Sequence, residues 1–184
     1  MRITTVGDPV LRQRASAVSP DELRSPETQR LIDELIRTRR AAAGAGLAAP
    51  QVSVLKRIAV VEVDQVTRER YPYKPAFPLT VIVNPVIEPL SDQMLLITEG
   101  CLSVPGLRGD VERHIRVRVD YFDRNGAPAE VVVEGLTAGT FQHEVDHLDG
   151  VLFLDRADPR SLSTWEQFER HGMAEFLERV RSYT

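Results

Sequence analysis

The sequence predicts an α+β fold in which antiparallel β-sheets surround a central helix that carries an HExxH motif, with further helices toward the N- and C-termini. Three observations carry that expectation. Helical spacing of apolar residues is confined to three separated segments. Short β-rich runs fill the stretch between the first and the second of them. The chain has 184 residues, enough for one domain with a proper core and too few for two ordinary ones.

The elements follow in order. Ser25-Pro26-Glu27 supplies an N-cap, a proline at the first helical position and an early acid, and Leu31, Ile32, Leu35 and Ile36 continue at helical spacing. A helix over 26–42 is expected, then a Gly-Ala loop. Strands are expected over 57–63, 79–84, 94–97, 115–122 and 130–133, with Asn125-Gly126 as a hairpin turn before the last. Ile115, Val117, Val119 and Tyr121 alternate with Arg116, Arg118 and Asp120, the pattern of a strand with one wet face. The central helix covers 136–148 and ends at Gly150. A last helix begins at Ser163, where Glu166 completes a capping box, contains Gly172, and turns Trp165, Phe168, Phe176 and Leu177 inward. No repeat, low-complexity tract or linker divides the chain.

With 42% hydrophobic and 27% charged residues, the composition is that of a soluble globular protein. No stretch approaches the roughly 20 apolar residues that span a bilayer, and Met1-Arg2-Ile3-Thr4 lacks the apolar run of a secretory signal. The cytoplasm is the expected compartment, an organelle only if a transit peptide has been removed. A net charge of −4, with arginines alternating with acids, gives no general attraction to nucleic acid. Cys101 is the sole cysteine and cannot form an internal disulfide, so packing, reactivity or metal binding must explain it.

The chemistry concentrates in Gln142-His143-Glu144-Val145-Asp146-His147. At about 100° per residue, His143 and His147 lie about 40° apart around the helix and one turn from each other. Phe141, Val145 and Leu148 fall on the opposite side, so the helix has one face for the core and one for a cleft. Two imidazoles so placed can ligate one metal ion, and the adjacent Glu144 is better placed to reach a water than the metal. A catalytic site of this type wants a third protein ligand. Phe153 occupies the position of a third histidine in one common arrangement, so that arrangement fails. Glu166 or Glu169 could serve in another, and Cys101, beside Gly100 and a Pro105-Gly106 turn, is the remaining candidate. The Gly44-Ala45-Gly46 loop is no phosphate loop, because the Gly-Lys-Ser/Thr ending is absent.

Three separated motifs then carry a resemblance: Gly44-Ala45-Gly46-Leu47-Ala48-Ala49-Pro50-Gln51, Glu99-Gly100-Cys101-Leu102-Ser103 and the HExxH stretch. The sequence resembles the peptide deformylase family from Gly7-Asp8-Pro9-Val10-Leu11-Arg12 to about Asp155. The resemblance implies hydrolysis of the N-formyl group of formylmethionyl nascent chains, giving formate and a free amino terminus. It implies Cys101, His143 and His147 as metal ligands, commonly for Fe2+ with Ni2+ or Zn2+ tolerated. Glu144 becomes the base, and the Gln51 amide and Leu102 N–H become the oxyanion donors. Gly44, Gly46 and Gly100 face the substrate, the last two offering main-chain groups as an added strand would be held. The methionine pocket falls to Ala45, Leu136, Gly139 and Thr140, with Glu99 and Arg108 at its edge. Ala45 and Gly139 are smaller than the residues usual there, so a roomier pocket is expected. Arg113 is expected to pair with Glu99 and hold the cysteine loop. A transient ribosome contact is implied as well, but the divergent segment after Asp158 gives no C-terminal docking helix to carry over. Two other readings keep the helix. A downstream-glutamate peptidase would make Cys101 dispensable, and a non-catalytic metal-binding scaffold would spare neither Glu144 nor Gln51 from loss.

Overall fold

A computed structural model describes residues 1–183. A short helix α1, Pro20–Arg24, precedes the expected one; Ser19 caps it and Glu22 closes the capping box. Its five residues are too few to show a helical periodicity in the sequence. Helix α2 then runs over Pro26–Ala41, with the Ser25 hydroxyl accepting from the Thr28 N–H.

Five antiparallel strands follow in a sheet of order β1-β2-β3-β6-β7: β1 Gly46–Ala48, β2 Ile58–Val63, β3 Phe77–Pro89, β6 Arg116–Phe122 and β7 Pro128–Glu134. The second sheet contains β4 Met94–Cys101, β5 Val104–His114 and the two-residue β8 Ser163–Thr164. A helix α3, Gln65–Arg70, unforeseen in the sequence, joins β2 to β3. Strand β2 is buried along its whole length because helices cover both faces of the sheet. Ile58 and Val60 pack with Ile32, Leu35 and Ile36 of α2, whereas Ala59 and Val61 pack toward α4, Gly135–Leu148. The central helix therefore sits against the larger sheet through Ala138, Phe141 and Leu148, as its apolar face requires.

Several expected boundaries move, each for a local reason. The 79–84 run extends to Pro89 because a bulge at Asn84, φ 51°, lets Pro85 lie within a strand. Asn84 is held there by its side chain, which bonds the N–H and C=O of Val18. The 94–97 run extends to Cys101 and meets an unforeseen partner, β5. Pro105-Gly106 is thus no turn: Cys101 pairs with Val104, and Leu102-Ser103 makes the reversal. Charged Arg108, Asp110 and Glu112 along β5 had hidden its strand character. Asn125-Gly126 does turn the β6–β7 hairpin, with Gly126 at φ +84° and Asp123 accepting from the Asn125 and Ala127 N–H groups.

The C-terminal helix begins one residue later than expected. Ser163 belongs to β8 and Thr164 is the cap; Glu166 does not close a capping box but pairs with Arg170 on the surface. The helix is also not continuous. A π-helical turn at Phe168–Gly172 separates α5, Trp165–Gln167, from α6, Met173–Val180. Its wider winding shifts the phase, so Phe168 and Phe176 both turn inward while Leu177, expected inside, is 39% exposed.

Candidate metal centre and cleft

Two adjoining elements bring the donors together. On α4, His143 and His147 project one turn apart, their rings edge to face at 4.9 Å. The β4–β5 reversal delivers Cys101, whose Sγ lies 3.2 Å from His147 Nε2. One donor atom from each of Cys101, His143 and His147 falls within 4.8 Å of the others, a group able to hold a metal ion. Glu166 and Glu169 are exposed on the C-terminal helix, which leaves Cys101 as the third donor.

The surroundings prepare that set. His143 Nδ1 bonds Glu99 Oε2 at 2.8 Å, leaving Nε2 for the cluster. Glu99 is gripped through both oxygens by Arg113, at 2.6 and 3.1 Å, and Arg113 also bonds Asp146. The expected Arg113–Glu99 pair is present, enlarged by Asp146 and by Arg156 on its far side. Against its burial, the hydrogen bond from His143 and the Arg113 charge hold Glu99 down at about 2. Cys101 too is held well below the ordinary thiol range, against its burial, by His147 and His143. The thiolate is the ligating form.

Glu144 lies alongside the cluster, 4% exposed, with Oε2 buried and bonded to nothing in the protein. Burial pushes it up to about 7, opposed by His143 and His147. Gly46 makes room for it: a Cβ there would run into the Glu144 carboxylate. Gln51, on a short 3-10 turn over Ala49–Val52, accepts from the Ala48 N–H at 2.8 Å, which fixes its amide. Its Nε2 points to Ser103 Oγ at 3.1 Å and Cys101 Sγ at 3.5 Å.

A cleft of about 340 Å³ opens over these groups and gathers the other expected residues, Gly44, Ala45, Gly100, Leu102, Arg108, Leu136, Gly139 and Thr140. Gly139 leaves no empty space beside it. Ile97 has filled the space, its Cδ1 standing 2.5 Å from where a Gly139 Cβ would lie. Tyr71, Tyr73, Lys74, Ile97, Trp165 and Phe176 also line the cleft; none was expected there, Trp165 and Phe176 being expected only as core. Their spacing carries no motif, because three come from a loop and two from a helix that reaches the cleft only by folding back. Arg108 lies over the Trp165 ring at 4.3 Å, joining β5 to that helix.

Two histidines on an HExxH helix joined by a cysteine from a neighbouring hairpin, a buried free carboxylate beside them and an open cleft define a class, the metal-dependent hydrolases. The chain belongs to one family within that class, the peptide deformylases, whose members remove the N-formyl group from nascent proteins: the polypeptide deformylase family model matches residues 1–163. A peptide deformylase of Leptospira biflexa is 44% identical over 155 residues, 84% of this chain and 86% of that protein. The chloroplastic/mitochondrial peptide deformylase 1A of Arabidopsis thaliana is 43% identical over 91% of this chain and 65% of its own length. A class I type b peptide deformylase from Acinetobacter baumannii, solved with Met-Ala-Ser bound, has a TM-score of 0.79 at 40% identity, over 85% of this chain and 97% of that one. Among the described residues no helix is long and apolar enough to cross a membrane.

Proposed function

We propose that Cys101, His143 and His147 hold one divalent metal ion, natively Fe2+ with Ni2+ or Zn2+ as substitutes, and that the cleft deformylates formylmethionyl chains in the cytoplasm, with a transient ribosome contact bringing it its substrates. The observation that carries this reading is the convergence of the three donor atoms within 4.8 Å, beside a buried carboxylate with an unbonded oxygen. When bound, the ion supplies the Lewis acidity that lets water attack near neutral pH.

The chain's own residues do the rest. Glu144 takes a proton from the attacking water and delivers it to the leaving amine nitrogen as the carbon–nitrogen bond breaks, so that formate and a free amino terminus result. Its elevated value, about 7, suits a group that must both accept and release a proton. The Gln51 Nε2–H and the Leu102 N–H donate to the formyl oxygen as it gains charge; one such donor is worth roughly 3 kcal/mol of barrier. The Ala48 N–H holds the carbonyl end of Gln51 in place, and Nε2 exchanges its Cys101 or Ser103 contact for the formyl oxygen. Gly46 and Gly100 offer main-chain groups along the cleft for the peptide, with Gly44 beside them, while Ala45, Leu136, Gly139 and Thr140 receive the first side chain, with Glu99 and Arg108 at its edge.

Formate release from N-formyl-Met-Ala-Ser by protein loaded anaerobically with ferrous iron tests the reading. Cys101→Ala is expected to lose iron and turnover together, and Glu144→Ala to keep iron and lose turnover. An inactive iron-replete wild type would refute the assignment.

A further inference from the structure

The loop between α3 and β3 carries the sequence Tyr71-Pro72-Tyr73-Lys74-Pro75. Two prolines restrict its backbone, the Lys74 N–H bonds the Tyr71 carbonyl at 3.0 Å, and the Tyr73 ring packs edge to face on Phe176 at 5.1 Å. The loop is thereby stiff, and it directs a lysine to the end of the cleft where Ile97, Leu136 and Thr140 meet. Lys74 Nζ donates to Thr140 Oγ1 at 2.8 Å, and the Thr140 hydroxyl donates onward to the Leu136 carbonyl at 3.0 Å. That is one acceptor for an ammonium with three N–H donors. Among the described residues no carboxylate lies within ion-pair distance of Lys74: Glu99 is committed to Arg113 and His143. Burial pushes the amine down to about 8, opposed by Glu99, the direction expected of a cation short of partners. Ile97 and Leu136 close the apolar side of the same space.

A hydrocarbon side chain reaching Thr140 would strip water from the remaining donors and return nothing, whereas an acceptor would satisfy one. A thioether is a weak acceptor and a sulfoxide oxygen a strong one on a side chain of the same length. Oxidation of a formylmethionyl terminus creates that end. We propose that Lys74 makes the pocket select N-formyl substrates whose first side chain carries a strong hydrogen-bond acceptor near its tip, methionine sulfoxide foremost. The inference rests on the deformylase reading and its placement of the first side chain against Leu136, Gly139 and Thr140.

The test measures kcat/KM of iron-loaded wild type, Lys74→Met and Lys74→Arg on three peptides: N-formyl-Met-Ala-Ser, its methionine sulfoxide form and its norleucine form. Wild type is expected to favour the sulfoxide over norleucine by about tenfold, the worth of one hydrogen bond to a charged donor. Lys74→Met is expected to reverse the order, with norleucine gaining and sulfoxide losing, and Lys74→Arg to keep the wild-type order. Wild-type preference for norleucine overturns the proposal, as does loss by the same factor on all three peptides in both variants. Failure of wild type on every peptide would instead refute the deformylase reading.

Discussion

Arg39, behind the glycine loop, and Arg113, behind the cysteine hairpin, are each almost fully buried, yet one ties loop carbonyls and carboxylates together and the other grips the carboxylate partner of His143. Arg39 donates to the Gly44 carbonyl at 2.9 Å, to the Glu62 carbonyl and to Thr67, and pairs with Glu62 and Asp64. Arg113 holds Glu99, which holds His143. Buried ion pairs contribute little net stability, since desolvation offsets the attraction, although removing one partner is costly. The difference lies in what each arginine fixes. Arg39 fixes the shape of the wall along which a peptide would lie, and Arg113 fixes the orientation of an imidazole that would bind metal. The first should govern binding of substrate, the second binding of metal.

The largest effect is expected where the two walls meet. Gly46→Ala puts a methyl group into the space of the Glu144 carboxylate, so kcat should fall by about 100-fold, the lower range of general-base contributions, while iron content stays at the wild-type level. Iron loss in parallel with kcat would show that the walls are not separable. Arg113→Met should come next. It leaves Glu99 buried with only His143 as partner, while Asp146 keeps Arg156, costing about 3 kcal/mol in urea denaturation, and it should weaken metal binding about 10–100-fold in chelator competition, because the orienting group behind His143 is released.

Arg39→Met is the direct counterpart. A comparable loss of stability is expected, since Asp64 loses its cation and Glu62 keeps only Arg40, but metal affinity should match wild type and KM should rise several-fold with kcat little changed. Equal metal loss in the two arginine variants would break the comparison. The smallest effect concerns acid. Against burial, the Thr67 N–H and Arg39 hold Asp64 down at about 2. A depressed carboxyl contributes stability that is present above its unfolded value near 4 and is lost as pH falls toward 2. Asp64 is partly solvated, so Asp64→Asn should flatten the loss of Tm between pH 4 and pH 2 by only about 2–4 °C, the scale of 1 kcal/mol in a chain of this size.

Much of the site was legible in the chain because its parts are local. The placing of His143, Glu144 and His147 follows from helical phase alone, Cys101 beside Gly100 is one candidate third donor among others, and Gln51 stands out only through the family resemblance. Strand β5 was not legible, because its core residues Val104 and Val111 are separated by charges and a Pro-Gly pair that reads as a turn. Nor was the pocket floor. Gly139 reads as a vacancy, and only the course of β4 shows that Ile97 occupies it.

By itself the sequence determined the α+β class, the capped helix α2, the central helix with its two histidines one turn apart, and the chemical types gathered for catalysis. These depend on periodicity, capping and residue chemistry, which act over a few residues. The tertiary structure decided which donor joins the histidines, how Arg113 reaches through Glu99 to His143, and which aromatic and basic groups of the 71–75 loop and the C-terminal helix enter the cleft. Those contacts join residues far apart in the chain, and their geometry is set by how two sheets and a helix pack, a constraint that no local pattern carries.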